Sequence, residues 1–237
     1  MRVFPVPNTP QVVDITAEPA SHVQAAAFYA LRALQPGQSI VLLTAEDPAL
    51  LMRSLDLQLA HKLAWSTASD GPPWRTVVRH RDDVPPADVL DLLQREHRRL
   101  DALLGQAMRL LNGGKTGAAA DVLQQFIRGL TRHLRVEDEV LASELGSGSA
   151  ASEATATMQR EHAEIAAQLQ LIEDSLRAGN AGVGETSTYC AILSGTLAKH
   201  EHREEENLFP RWRVALARRS AADASELLEQ VKSLLEE

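Results

Sequence analysis

Residues Leu193 to Pro210 read L-S-G-T-L-A-K-H-E-H-R-E-E-E-N-L-F-P. Positions 193, 197, 200, 204 and 208 step by 4, 3, 4 and 4, so they form one stripe down an α-helix, the stripe that faces a bundle core. On that stripe three leucines are interrupted by His200 and Glu204, one turn apart. An imidazole and a carboxylate pointing into a core must be satisfied there, and a metal ion does this for both at once.

One helix cannot fill a coordination sphere, and three other stretches supply the rest. Leu90, Leu93, His97, Leu100, Leu104 and Leu111 run at helical spacing with a His in the stripe. Val122, Phe126, Leu130, His133, Glu137 and Val140 repeat the His/Glu pair one turn apart. Met158, His162, Ile165, Leu169, Ile172 and Leu176 again carry one His. In an antiparallel helix pair two residues meet when they are equidistant from the connecting turn. The mean of 97 and 133 is 115, beside Gly113 and Gly114. The mean of 135 and 162 is about 148, inside a Gly-Ser-Gly-Ser cluster, and the mean of 162 and 202 is 182, inside a second Gly-rich stretch. All six side chains can therefore lie in one layer of a four-helix bundle.

Composition sets the limits. The 237 residues, 44% hydrophobic and 24% charged, are those of a globular chain of one large or two ordinary domains. A net charge of -8 argues against a nucleic-acid surface, which needs a basic excess. The one basic run, Arg211 to Arg219, is interleaved with apolar residues and reads as the solvated face of a short helix. The single cysteine, Cys190, excludes an internal disulfide, a thiolate cage and a Cys-x-x-Cys redox motif, and reads as core packing. No apolar run approaches the roughly 18 to 20 residues that span a bilayer, and the N-terminus lacks the apolar core of a signal peptide. A cytoplasmic location with no membrane partner is the expectation.

The first third of the chain has a different grain. Gln11 to Thr16 is β-rich, Ser21 to Leu34 is helical in spacing, and Ser39 to Thr44 is a nearly all-apolar run suited to a central strand. Pro48 opens a helix to about His61, and Leu63 to Ser69 with Trp74 to Arg79 read as a hairpin around Asp70-Gly-Pro-Pro73. The order β-α-β-α-β-β predicts a two-layer sandwich over residues 11–81, then a proline-stiffened linker over 82–86 and a helical domain over 87–237. That domain is predicted as an antiparallel four-helix bundle with helices near 87–112, 117–144, 152–178 and 184–207. After Pro210 the chain is expected to turn into an extra C-terminal helix carrying Leu227, Leu228 and Val231. The whole is an α+β two-domain chain.

Asp14, Pro19, His22, the Phe28/Leu31/Leu34 face, Pro36-Gly37, Asp47-Pro48, Trp65 and Trp74-Arg75 with Arg79 resemble an uncharacterised bacterial domain distantly similar to the TusA-like sulfur-carrier fold. Sulfur carriers work through a Cys near their N-terminus; this stretch has none, so sulfur transfer is not expected. Glu46 stands where that domain places a His before the Asp-Pro step. His22, His61 and His80 read as surface or packing residues.

Imidazole nitrogen with carboxylate oxygen and no sulfur suits iron, manganese or zinc. Four His with two Glu able to bridge is a two-metal inventory. A single His on an apolar stripe is usually an ordinary hydrogen-bonded core residue; six that converge are not. Asp101, one turn after His97, imitates the His/Glu pairs and reads first as a solvated neighbour or an acceptor for an imidazole N–H, with a ligand role as the further alternative. His202 and Glu206 lie about 200° round the helix from His200 and Glu204, off the core stripe, and Glu139 lies likewise from Glu137. Glu205 and Glu206 are read as solvated charges.

The pattern H, then H-x-x-x-E, then H, then H-x-x-x-E on successive helices, closed by Glu204-Glu-Glu-Asn-Leu-Phe-Pro210, resembles the hemerythrin-like (HHE cation-binding) family over residues 87–210. The resemblance implies a non-haem centre of two iron ions with His97, His133, Glu137, His162, His200 and Glu204 as ligands. Oxygen-carrying hemerythrins have a further His one turn after the third-helix ligand, where this chain has Ala166. The four-His form is more like the bacterial proteins linked to nitric oxide response and repair of iron centres. The implied function is to sense or bind a small molecule (oxygen, nitric oxide or peroxide) or to supply iron for repair, with the N-terminal domain as a partner-docking or regulatory module. The alternative is a di-iron enzyme, a peroxidase or nitric oxide reductase.

Overall fold

The computed structural model describes residues 10–59, 61–68, 71–145, 149–178 and 183–236, which form two compact units, Met1–Pro86 and Ala87–Glu237. In the first, β1 (Gln11–Asp14), α1 (Ala20–Leu31), β2 (Ser39–Thr44), α2 (Ala49–Gln58), β3 (Leu63–Thr67) and β4 (Trp74–His80) follow the predicted order. The sheet runs β1-β2-β4-β3, with β1 parallel to β2 and the other neighbours antiparallel. Ile40 and Leu42 on β2 and Val78 on β4 pack with Ala27 and Leu31 of α1 and Met52 and Leu55 of α2 into one buried cluster. Residues 82–86, expected as linker, begin inside a short turn. Arg81–Asp83 is a 3-10 turn, and the Asp83 carboxylate accepts the Gly37 N–H at 2.8 and 2.9 Å. Asp70 of the hairpin turn lies outside the described residues.

The second unit is helical: α3 (Val89–Asn112), α4 (Thr116–Val136), the short α5 (Ala142–Glu144), α6 (Ser149–Arg177), α7 (Val183–Arg203), α8 (Phe209–Leu216) and α9 (Ala221–Glu236). α3 packs on α4 and α7, and α6 packs on α7 and α4, while α9 lies along α4 and α3 with Leu227 and Val231 buried. Asp88 caps α3 by accepting the Asp91 N–H at 2.8 Å. The α3–α4 turn falls where expected, with Gly114 at a φ of 69° that a side chain would resist. The two later turns predicted at Gly-rich stretches involve residues 146–148 and 179–182, outside the described residues.

Two features depart from straight α-helices. Glu137–Leu141 and Glu204–Leu208 are π-helical turns, in which the carbonyls of Glu137 and Glu204 accept from the N–H of Ala142 and Phe209, five residues on. The second corrects the expectation that the chain turns after Pro210. Proline cannot donate to the carbonyl four residues back and crowds it in a regular helix. The wider turn ahead of it absorbs that conflict, Pro210 sits in the first turn of α8, and the helical path continues to Leu216.

Apolar side chains fall into two clusters along the bundle. Leu100, Leu104, Phe126, Leu130, Ile165, Leu169, Leu193 and Leu197 belong to one; Leu93, Val136, Met158, Leu208, Phe209, Trp212 and Val231 belong to the other. The polar layer lies between them: His97 falls between Leu93 and Leu100, His162 between Met158 and Ile165. Cys190 is fully buried in the first cluster, where burial pushes its thiol up to about 11. Among the described residues no helix is long and apolar enough to cross a membrane.

Candidate metal centre

The apolar stripes of α3, α4, α6 and α7 force their interruptions into the bundle interior, and all six predicted residues arrive there buried: His97, His133, Glu137, His162, His200 and Glu204. They form two overlapping groups, His97/His133/Glu137/Glu204 and Glu137/His162/His200/Glu204, each with its ligand atoms within 4.8 Å of one another. Both carboxylates are shared. Glu137 places Oε1 3.2 Å from His133 Nε2 and Oε2 3.3 Å from His162 Nε2. Glu204 places Oε2 3.6 Å from His97 Nε2 and Oε1 3.3 Å from His200 Nε2. Each oxygen therefore faces one group and its twin faces the other.

The fit to a cation can be tested on these atoms. Nitrogen and oxygen ligands about 2.0 to 2.2 Å from an ion stand roughly 3 to 3.5 Å from one another in tetrahedral or octahedral geometry, and three of the four separations above fall in that range, the fourth being 3.6 Å. Both oxygens of Glu137 and of Glu204, with Nε2 of His162 and of His200, are buried without a hydrogen-bond partner. A buried carboxylate with neither oxygen bonded is costly unless something else sits between the acceptors. The close packing of imidazoles and carboxylates also shifts their titration. Burial would depress His97, yet the Glu205 bond and the charges of Glu204, Glu201 and Glu137 lift it to about 9; His162, likewise buried, is lifted to about 10 by Glu137, Glu204 and Asp138. Burial would raise Glu137, but His133 and His162 hold it well below the usual carboxylate range. Glu204, buried beside the charge of Glu137, is pushed up.

Three of the four imidazoles are braced from behind. His97 Nδ1 lies 3.2 Å from Glu205 Oε1, His162 Nδ1 2.9 Å from Asp138 Oδ1, and His200 Nδ1 3.0 Å from Glu161 Oε2. An imidazole whose Nδ1–H is given to a carboxylate presents a lone pair on Nε2, the form that ligates a metal. The cation-binding assignment rests on this convergence, and the family comparison agrees with it: residues 88–212 match the model of the hemerythrin HHE cation binding domain.

The chain belongs to the hemerythrin HHE cation-binding family. Curated proteins and solved structures give no match to it. The HHE domain accounts for α3, α4, α6 and α7 and ends at Trp212, whose indole Nε1–H donates to the Leu141 carbonyl at 2.7 Å and so ties α8 to the π turn after α4. Phe209 stacks on the His97 ring, 6.0 Å between centroids, and closes the layer on that side.

The braces of the HHE domain are where sequence reasoning fell short. Glu205, expected to be solvated, is half-buried and takes the imidazole N–H; Asp101 is exposed, in keeping with the reading of it as a solvated neighbour. Asp138 and Glu161 were not anticipated, nor was Glu201, half-buried beside His97 and Asp101, whose carboxyl burial pushes up to about 7. A signal for three of them exists: Glu161 directly precedes His162, and Asp138 and Glu205 directly follow the Glu of each H-x-x-x-E. His202 and Glu206 are exposed, and Glu139 is exposed and paired with Arg135 at 2.9 Å.

Proposed function

We propose that the chain is a non-haem di-iron protein that binds or senses a small molecule (oxygen, nitric oxide or peroxide) or supplies iron for the repair of iron centres. His97 and His133, with Glu137 Oε1 and Glu204 Oε2, would hold one ion; His162 and His200, with Glu137 Oε2 and Glu204 Oε1, the other. The observation that carries this is the convergence of four buried imidazoles and two buried carboxylates in two overlapping groups, in which both oxygens of each carboxylate and Nε2 of His162 and His200 have no hydrogen-bond partner. Two iron ions there supply open coordination positions and one-electron chemistry, which suit a diatomic molecule or peroxide.

The residues do the rest. The carboxylates behind His97, His162 and His200 fix ring orientation and tautomer. Leu93, Leu100, Leu197, Leu208 and Phe209 keep bulk water from the layer. A cavity of about 240 Å³ lined by Met158, Glu161, Arg203, Asn207, Leu208 and Arg211 gives a molecule of that size an approach from the α6/α7 side. The N-terminal unit is proposed to resemble the TusA-like fold and to dock a protein partner, with the linker and domain bounds as predicted from sequence.

Metal content and an optical spectrum of the protein purified in air test the reading. Close to two iron ions per chain and near-ultraviolet absorption are expected; one zinc per chain after iron-replete growth would overturn it. Catalytic turnover of peroxide or nitric oxide by the iron-loaded chain would move the reading to an enzyme. Residues 87–237 alone should keep the spectrum.

A further inference from the structure

The two helix hairpins repeat one pattern: Glu96-His97 with His133, Glu137 and Asp138 on α3/α4, and Glu161-His162 with His200, Glu204 and Glu205 on α6/α7. The braces follow the repeat in three cases out of four. His97 takes Glu205 and His162 takes Asp138, each from the opposite hairpin, while His200 takes Glu161 from its own. By the same rule His133 should take Glu96. It does not: His133 Nδ1 is buried and has no partner among the described residues.

The cause is the placement of one cation. Arg99, one turn beyond Glu96 on the same helix, grips its carboxylate at 2.7 and 2.5 Å and holds it along α3. Its guanidinium fits over Gly129, where a Cβ would stand 2.5 Å from Arg99 Nη2. In the other hairpin these positions are Glu164 and Thr196, and the cation on Glu161 is Arg203, which comes from α7 itself and leaves Glu161 on His200. The position corresponding to Arg203 is Val136, which carries no charge to draw Glu96 across.

We infer that the two cation positions are unequal in affinity, with the His162/His200 position filled first and the His97/His133 position, half-braced because Arg99 diverts Glu96, the weaker and more readily emptied. As a ligand through Nε2, His133 carries its ring proton on Nδ1, and there the proton is buried without an acceptor. A missing carboxylate behind a ligating imidazole costs on the order of 10- to 100-fold in metal affinity. The inference rests on the metal-centre reading above and gives it a direction: iron handed on leaves from the His97/His133 side.

Anaerobic titration of the metal-free full-length chain with iron(II), in competition with a chromophoric chelator, reads both steps. Two steps of one ion each, separated on the order of 10- to 100-fold, are expected. His133→Ala should abolish the weaker step and His200→Ala the tighter one. Glu161→Gln, which removes no ligand, should weaken the tighter step and narrow the gap. Arg99→Met, which frees Glu96, should strengthen the weaker step, and adding Glu96→Gln should cancel that gain. Two indistinguishable steps, loss of the tighter ion in His133→Ala, or a gap that neither Glu161→Gln nor Arg99→Met alters would overturn the ranking. A wild-type chain that takes up no iron in either step overturns the metal centre itself, and the ranking with it.

Discussion

His97 and Glu205 lie 108 positions apart in sequence, and their side chains meet with Nδ1 3.2 Å from Oε1. The contact joins the first bundle helix to the turn that ends the fourth, behind one of the buried imidazoles that could hold a metal ion. Glu205→Gln exchanges an ionised acceptor for a neutral one and should lower affinity at the His97/His133 position by about 10- to 100-fold, read as loss of up to one ion per chain on dialysis against a chelator. Glu206→Gln, on the neighbouring exposed residue, should leave retention at the wild-type level. Equal retention in both variants would sink the brace.

Helical phase gives a second matched pair. His200 is buried at 3% exposure and His202 is exposed, two residues away. His200→Ala should lose most of one ion and several degrees of thermal stability, because metal binding and folding are coupled. His202→Ala should change neither. The reverse outcome would put the metal on the other face of α7.

The response to pH has a defined sign. In the metal-free chain His97 and His162 are raised from 6.5 to about 9 and about 10, the pull of the carboxylates exceeding the effect of burial. Their contribution to stability is fully present below about 6.5 and is lost as pH rises through 9 to 10. Glu137, held below 4.5, contributes stability that is present above that value and lost as pH falls. An ion competes with the protons on the same imidazoles, so metal affinity rises across the window in which the metal-free chain weakens. The difference in Tm between metal-loaded and metal-free protein should therefore widen from pH 6.5 to 9. A constant or shrinking difference would show that those imidazoles are not the ligands.

Trp212 is fully buried and donates to the Leu141 carbonyl. Trp212→Phe leaves that acceptor unsatisfied in an apolar cluster and should cost about 1 to 3 kcal/mol in urea unfolding. Trp212→Ala adds a cavity and should cost about 3 to 5 kcal/mol. A loss below half a kcal/mol for the alanine variant would mean that α8 is not part of the cooperative unit.

The six core residues were legible because a polar side chain in an apolar stripe is conspicuous, and because equal distance from three turns puts such side chains at one height. The order of strands and helices in the N-terminal unit was legible for a related reason: Ser39–Thr44 is too apolar and too short for anything but a central strand. The braces were not. Glu205, Asp138 and Glu161 each sit one position from a ligand, about 100° round the helix, where a charged residue is ordinarily solvated. Whether such a side chain meets an imidazole depends on the helix next to it, and in Glu96 the same position is diverted by an arginine. The π turns were hidden as well, since no residue type marks them and Leu208 falls on the core stripe whether or not the turn widens.

Those turns have an effect on how the chain can vary. A turn holding one extra residue rotates everything beyond it by roughly 100° relative to an unbroken helix. Upstream, the phase of α4 and α7 is dictated by the buried layer of His133, Glu137, His200 and Glu204; downstream, that of α5 and α8 is dictated by the burial of Leu141, Phe209 and Trp212 in one apolar cluster. The widened turn acts as a joint between two gears: deletion of one residue inside it, sparing Glu137 and Glu204, would close it to an ordinary α-turn with both flanks still in phase, whereas the same deletion in the straight part of α4 or α7 would turn everything on one side of it by about 100°.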